Sequence, residues 1–181
     1  MQRLGRPQAL LDRLRLALEA LGPIEVFSTA YLIRALQELG LTFRPGFHAT
    51  HEELRQALNV PPHYSRLLHR FLQVMAEIGL MEFRGNEWTV LRAPTADELT
   101  ASSQKLIQQF PAYEPQIMLV ENCGPDLARA VTGEVDPLSL LFPGGSSALS
   151  EKLYRDVPQA KVFNGLIGQV VAAARPTRVL E

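Results

Sequence analysis

The stretch from Thr50 to Arg92 constrains the fold of this chain most, because four kinds of local signal follow one another there with almost no spacer. Thr50 followed three residues later by Glu53 is a capping-box pattern, which predicts a short helix over His51 to Leu58. Asn59-Val60-Pro61-Pro62 then forces a turn, since each proline fixes φ and removes a backbone donor. From His63 to Ile78, Tyr64, Leu67, Leu68, Phe71, Met75 and Ile78 form an apolar stripe at helical spacing, and Gly79 ends the helix. We expect this helix to bury Leu67, Phe71 and Met75. LMEFRGNEWTVLR reads next as two short strands folded back around Arg84-Gly85-Asn86-Glu87. Short helix, turn, longer helix and hairpin, in that order, make a winged helix-turn-helix.

The flanks are helical. Leu10, Leu14, Ala17, Leu18 and Leu21 recur at helical spacing from Pro7 to Leu21, and Gly22-Pro23 should stop that helix. A second helix is expected from Glu25 to Leu39, with Val26, Ala30, Ile33 and Leu36 on one face and Gly40 as its C-cap. Leu41 to Ala49 contains Pro45 and Gly46 and reads as a loop. Beyond Ala93-Pro94, Thr95 with Glu98 repeats the capping-box pattern, and the remainder is helical between proline and glycine breaks. A last helix spans Gln159 to Ala174, and Arg178-Val179-Leu180-Glu181 looks like the opening of a strand. The fold class is therefore mostly α: a winged-helix subdomain over residues 1–92 with its small β-hairpin, and a helical, lid-like subdomain over residues 93–181.

Charge narrows the function classes. Lys and Arg number 18 against 19 Asp and Glu, so no polyanion-binding excess exists. Arg55, Arg66, Arg70, Arg84 and Arg92 are balanced by Glu52, Glu53, Glu77, Glu82 and Glu87. A DNA-binding reading, with Ser65, Arg66, His69, Arg70 and Arg84 as contacts, is thereby disfavoured. We expect no nucleic acid, no membrane partner and a cytoplasmic protein, since the N-terminus is charged every few residues.

No constellation carries chemistry by itself. Cys123, the single cysteine, has no nearby base to activate it. His48 and His51 lack a third ligand, and His63 and His69 fall on different faces of their helix, so all four read as surface histidines and no metal is expected. Phe142 to Ser147, FPGGSS, is glycine-rich ahead of a helix but has no P-loop lysine, so a helix-capping loop is the better reading. No catalytic residue is assigned.

The run from Leu138 to Glu181, with LFPGGS at Leu141 to Ser146, Tyr154 eight residues after that serine, and Phe163-Asn164 beyond it, resembles the stretch just ahead of the cofactor-binding core in carbon-methyltransferase domains of modular polyketide synthases. The winged-helix stretch from Ala57 to Val90 is also similar to the N-terminal part of those domains. The resemblance implies that the strand at Arg178 to Glu181 would lead into a glycine-rich S-adenosylmethionine loop, and that catalytic base and cofactor core lie beyond this segment. It further implies that Tyr154 and Asn164 face the cofactor or substrate entrance. Partners would be the downstream methyltransferase core or neighbouring polyketide synthase domains, with an acyl carrier protein as another candidate. The alternative is a structural adaptor region of a polyketide synthase loading module.

Overall fold

A single helix, α1 (Pro7–Glu38), takes the place of the two helices expected on either side of Gly22-Pro23. Proline inside a helix costs about 3 kcal/mol or more, through its lost donor and its clash with the preceding turn. Across the proline, however, Ala20, Ile24, Phe27, Ala30, Ile33 and Leu36 run as one buried line. Burying side chains such as Ile24 and Phe27 returns roughly 1.5 to 3 kcal/mol each, enough to offset the proline. That line also corrects the expected faces: Leu18, Leu21 and Val26 point outward, and Phe27 points in.

The computed structural model describes residues 7–100 and 102–174, so the strand expected at Arg178 to Glu181 lies outside the described residues. After α1 come β1 (His48–Thr50), α2 (His51–Ala57) and α3 (Ser65–Glu77), which is entered through a 3-10 turn over Pro62–Tyr64. The hairpin β2 (Met81–Arg84) and β3 (Glu87–Val90) follows. Thr50 and Glu53 form the expected reciprocal cap, with the Thr50 N–H donating to the Glu53 carboxylate at 2.7 Å. Gly79 at φ 72° ends α3 and Gly85 at φ 63° turns the hairpin, a left-handed conformation that penalises other residues.

The sheet holds three antiparallel strands in the order β1-β3-β2, one more than the hairpin alone. His48 pairs with Thr89 and Thr50 with Glu87, so the segment read as loop supplies an edge strand. Three residues are too few to show a period of two, and the strand exists because β3 offers it an edge.

On α3 the buried residues are Leu68, Leu72 and Met75, spaced by four and three. This corrects the expected set: Leu67 is exposed, Phe71 is partly buried at the margin, and Leu72 sits at the centre. With Leu54, Leu58, Val60, Leu80, Met81, Trp88 and Val90 they form a core that α1 closes with Leu32, Ile33 and Leu36.

The rest of the chain is short helices: α4 (Ala96–Leu99), α5 (Ser103–Gln109), α6 (Glu114–Cys123), α7 (Leu127–Thr132), α8 (Pro137–Leu141), α9 (Ala148–Asp156) and α10 (Pro158–Ala174). Phe110, Tyr113 and Ile117 from this part meet Ala20, Ile24 and Phe27 of α1 in a second core. Thus α1 serves both cores. Tyr31 fastens the join: its hydroxyl donates to Glu121 at 3.4 Å, and its ring lies where a Cβ on Gly124 would sit only 2.3 Å away.

Candidate functional site

Tyr154 and Asn164 lie on different helices, and the connection between α9 and α10 brings them together. Val157 and Pro158 are buried and pin that connection. The Asn164 Nδ2–H donates to the backbone carbonyl of Tyr154 at 2.8 Å. That carbonyl lies in the last turn of α9, where carbonyls have no intrahelical partner, so the Asn164 side chain caps α9 as well as linking the two helices. The Tyr154 ring is left free, 73% exposed.

Alongside it, α10 turns a large apolar face outward. Phe163, Leu166, Ile167 and Val170 follow helical spacing, with exposures from 42% at Leu166 to 67% at Val170. Val162, one turn before Leu166, is buried, and the helix packs against α1 and α9. An apolar face of this kind on a helix is normally covered.

Behind α9, a cleft of about 320 Å³ is lined by Glu114, Pro115, Met118, Asn122, Ala148, Leu149 and Lys152. The FPGGSS run forms the entry to α9: Pro143–Gly145 makes a 3-10 turn, and Ser146 Oγ accepts the Ala148 N–H at 3.3 Å. It caps a helix, and its glycines serve the turn.

The remaining candidates are dispersed, with one exception. Cys123 is partly buried, and burial pushes its thiol pKa up, against thiolate formation. Among the described residues no group of three or more His, Cys, Asp or Glu gathers as a metal set. Of the DNA-contact candidates, Arg70 is gripped by Glu77 at 2.6 Å and Arg84 by Glu82 at 3.0 Å. The exception corrects the reading of the histidines as surface residues. His51 and His69 are both half-buried, their rings 5.3 Å apart and edge to face, and His69 also meets Trp88 at 5.5 Å. Sequence spacing missed this pairing, because it joins the start of α2 to the middle of α3 across the turn.

Comparison with known proteins gives a consistent answer. No protein-family model matches the chain. A non-reducing polyketide synthase of Macrophomina phaseolina (strain MS6) is 33% identical over 168 residues, 84% of this chain and 7% of that protein. Methylphloroacetophenone synthase of Cladonia uncialis is 31% identical over 115 residues, 62% of this chain and 4% of that protein. The chain therefore spans a small fraction of these curated relatives.

Among solved structures, the CurJ carbon methyltransferase superposes with a TM-score of 0.82 at 27% identity, covering 95% of this chain and 47% of that one. The DszA carbon methyltransferase gives 0.79 at 25% identity, over 97% of this chain and 46% of that one. The methyltransferase domain of the citrinin polyketide synthase, at 18% identity and a TM-score of 0.67, shares the fold. No helix among the described residues is long and apolar enough to cross a membrane.

Proposed function

We propose that this chain, which matches the N-terminal portion of polyketide synthase C-methyltransferase domains, is the noncatalytic front half of such a domain and shapes substrate access to a core that follows it. The observation that carries this reading is the outward stripe Phe163, Leu166, Ile167 and Val170 on α10. Apolar surface left in water costs about 25 cal/mol per Å² relative to burial, so a stripe of this size calls for a cover. The proposed cover is the methyltransferase core, which would bind S-adenosylmethionine through its own strand and glycine-rich loop.

In this arrangement residues 1–92 form a winged-helix subdomain and residues 93–181 a lid, with α1 of the first packing into the cores of both. Tyr154 stands at the entrance beside the apolar stripe, and Asn164 sets its position by holding the end of α9 against α10. Neighbouring polyketide synthase domains, an acyl carrier protein among them, are the expected partners, in the cytoplasm.

The test uses a longer protein that carries the methyltransferase core and reads methyl transfer from S-adenosylmethionine. Replacing Phe163 and Ile167 with Asp should lower turnover about tenfold or more, equivalent to about 1.4 kcal/mol. Tyr154→Ala should lower turnover without loss of stability, Asn164→Ala should lower both modestly, and the exposed Gln104→Ala should change neither. Unchanged turnover in Tyr154→Ala and in the Asp variant would refute the lid, and would favour the adaptor role in a loading module.

A further inference from the structure

One helical face of α1, made by Gly22, Glu25, Val26 and Thr29, forms a wall of a cavity of about 340 Å³. Glu77 and Ile78 at the end of α3 and Glu98 of α4 close it. Aromatic residues aside, Thr29 is the one polar side chain buried among the described residues, at 8% exposure. A threonine inside a helix ordinarily donates its hydroxyl to the carbonyl one turn back, here that of Glu25. That carbonyl already accepts the helical N–H of Thr29 and, at 2.9 Å, the hydroxyl of Ser28. The Thr29 hydroxyl has no hydrogen-bond partner among the described residues, and Thr29 lines the cavity. A buried hydroxyl is costly until something in the space it faces bonds to it.

The charge around that hydroxyl is of one sign and of limited size. Glu77 gives both carboxylate oxygens to Arg70, at 2.6 and 3.2 Å, and Glu98 gives both of its own to Arg92, at 2.7 and 2.8 Å. Glu25 makes no ion pair among the described residues. Its charge is the smallest influence on Arg70, whose pKa is raised first by the bond to Glu77. The cavity therefore keeps one unspent negative charge, beside the buried hydroxyl. The remaining lining is apolar: Val26 stands 56% exposed, Ile78 is half-buried, and a Cβ on Gly22 would meet open space.

We propose that this cavity binds a single primary ammonium group on an aliphatic arm, with the Thr29 hydroxyl and the Glu25 carboxylate accepting its N–H groups and Val26 and Ile78 flanking the arm. An ammonium brings one positive charge and donors only, which suits a lone carboxylate beside a hydroxyl that lacks a partner. A divalent metal ion fits less well, because it takes six or more oxygen ligands, several of them carboxylates, and two of the three here are held by arginines. A guanidinium seeks the two-oxygen edge of a carboxylate, which Glu77 and Glu98 already give to Arg70 and Arg92. The methylenes of the arm gain by covering Val26. A lysine of a neighbouring protein domain and a free small amine share this chemistry. The site stands on α1, α3 and α4 and does not depend on the methyltransferase reading.

The full 181-residue chain, isotopically labelled, is titrated at constant ionic strength with n-butylammonium and with N-acetyl-lysine amide. Saturable shifts should appear at Val26, Thr29 and Ile78, with dissociation constants of about a millimolar. Tighter binding of the lysine amide would assign the group to a protein lysine, and tighter binding of butylammonium to a small amine. Glu25→Gln and Thr29→Val should each weaken binding about fivefold to tenfold, with the Trp88 and Leu68 signals unchanged as proof of folding. Thr29→Val keeps the shape of the side chain, so a hydroxyl with a merely structural role would leave the affinity as it was. No saturable shift up to about 50 mM of either amine, or unchanged affinity in both variants, would overturn the proposal. So would tetramethylammonium, which carries the charge but no N–H, binding as tightly as butylammonium, or magnesium binding more tightly than both amines.

Discussion

Replacing Leu72 with alanine tests the packing of α3 where the structure departs most from the sequence pattern. Leu72 is 0% exposed at the centre of α3, whereas Leu67, one of the residues expected inside, is 38% exposed. Truncating leucine to alanine removes three carbons, worth about 0.8 kcal/mol each in transfer, or about 2.4 kcal/mol. A residual cavity of roughly 50 Å³, at about 24 cal/mol per Å³, adds about 1.2 kcal/mol. The expected loss is therefore about 3 to 4 kcal/mol, and at about 2 to 4 °C per kcal/mol for a chain of this size the melting temperature should fall by about 6 to 16 °C. Leu67→Ala should lose less than about 1 kcal/mol, because its side chain already meets water. Urea unfolding followed by circular dichroism measures both, with unchanged m-values as the sign that two-state behaviour persists. A loss below about 1 kcal/mol at Leu72, or equal losses at the two positions, would refute this orientation of α3 and return its outer face to question.

Gly124→Ala should destabilise by about 1 to 3 kcal/mol, since the new Cβ would fall 2.3 Å from the Tyr31 ring, and Tyr31→Ala in the same chain should relieve part of the loss in thermal unfolding. Glu98 has its carboxyl lowered from 4.5 to about 2, first by the Arg92 guanidinium and then by the Thr95 N–H. A lowered carboxylate contributes stability that is full above about pH 4.5 and is lost as pH falls toward about 2, so Glu98→Gln should be less stable than the parent at neutral pH and should converge with it at about pH 2. Converging curves in acid titration of unfolding check this, and parallel curves would contradict it. The 181-residue chain alone should bind S-adenosylmethionine weakly or not at all by calorimetry, and micromolar binding would place a cofactor site within this segment.

Local signals determined what a few neighbouring residues can decide. Both threonine capping boxes, the Asn59 to Pro62 turn, the ends of α3, the start of α10 and the hairpin around Gly85 were all legible, because each depends on backbone hydrogen bonding or on φ preferences within a few positions. The motif around Tyr154 and Asn164 was legible as a resemblance, but the hydrogen bond between them was not. Tertiary packing decided the rest. It carried α1 through Pro23 because a buried stripe outweighed one lost hydrogen bond. It turned α3 so that Leu72 replaced Leu67 in the core, a choice that adjacent apolar residues leave open until a partner surface selects one face. It added β1, which has no pattern of its own, and it set His51 against His69 across a turn. Periodicity specifies which residues share a face, but contacts between segments far apart in the chain decide which face is buried, because burial is a property of the surface that receives it.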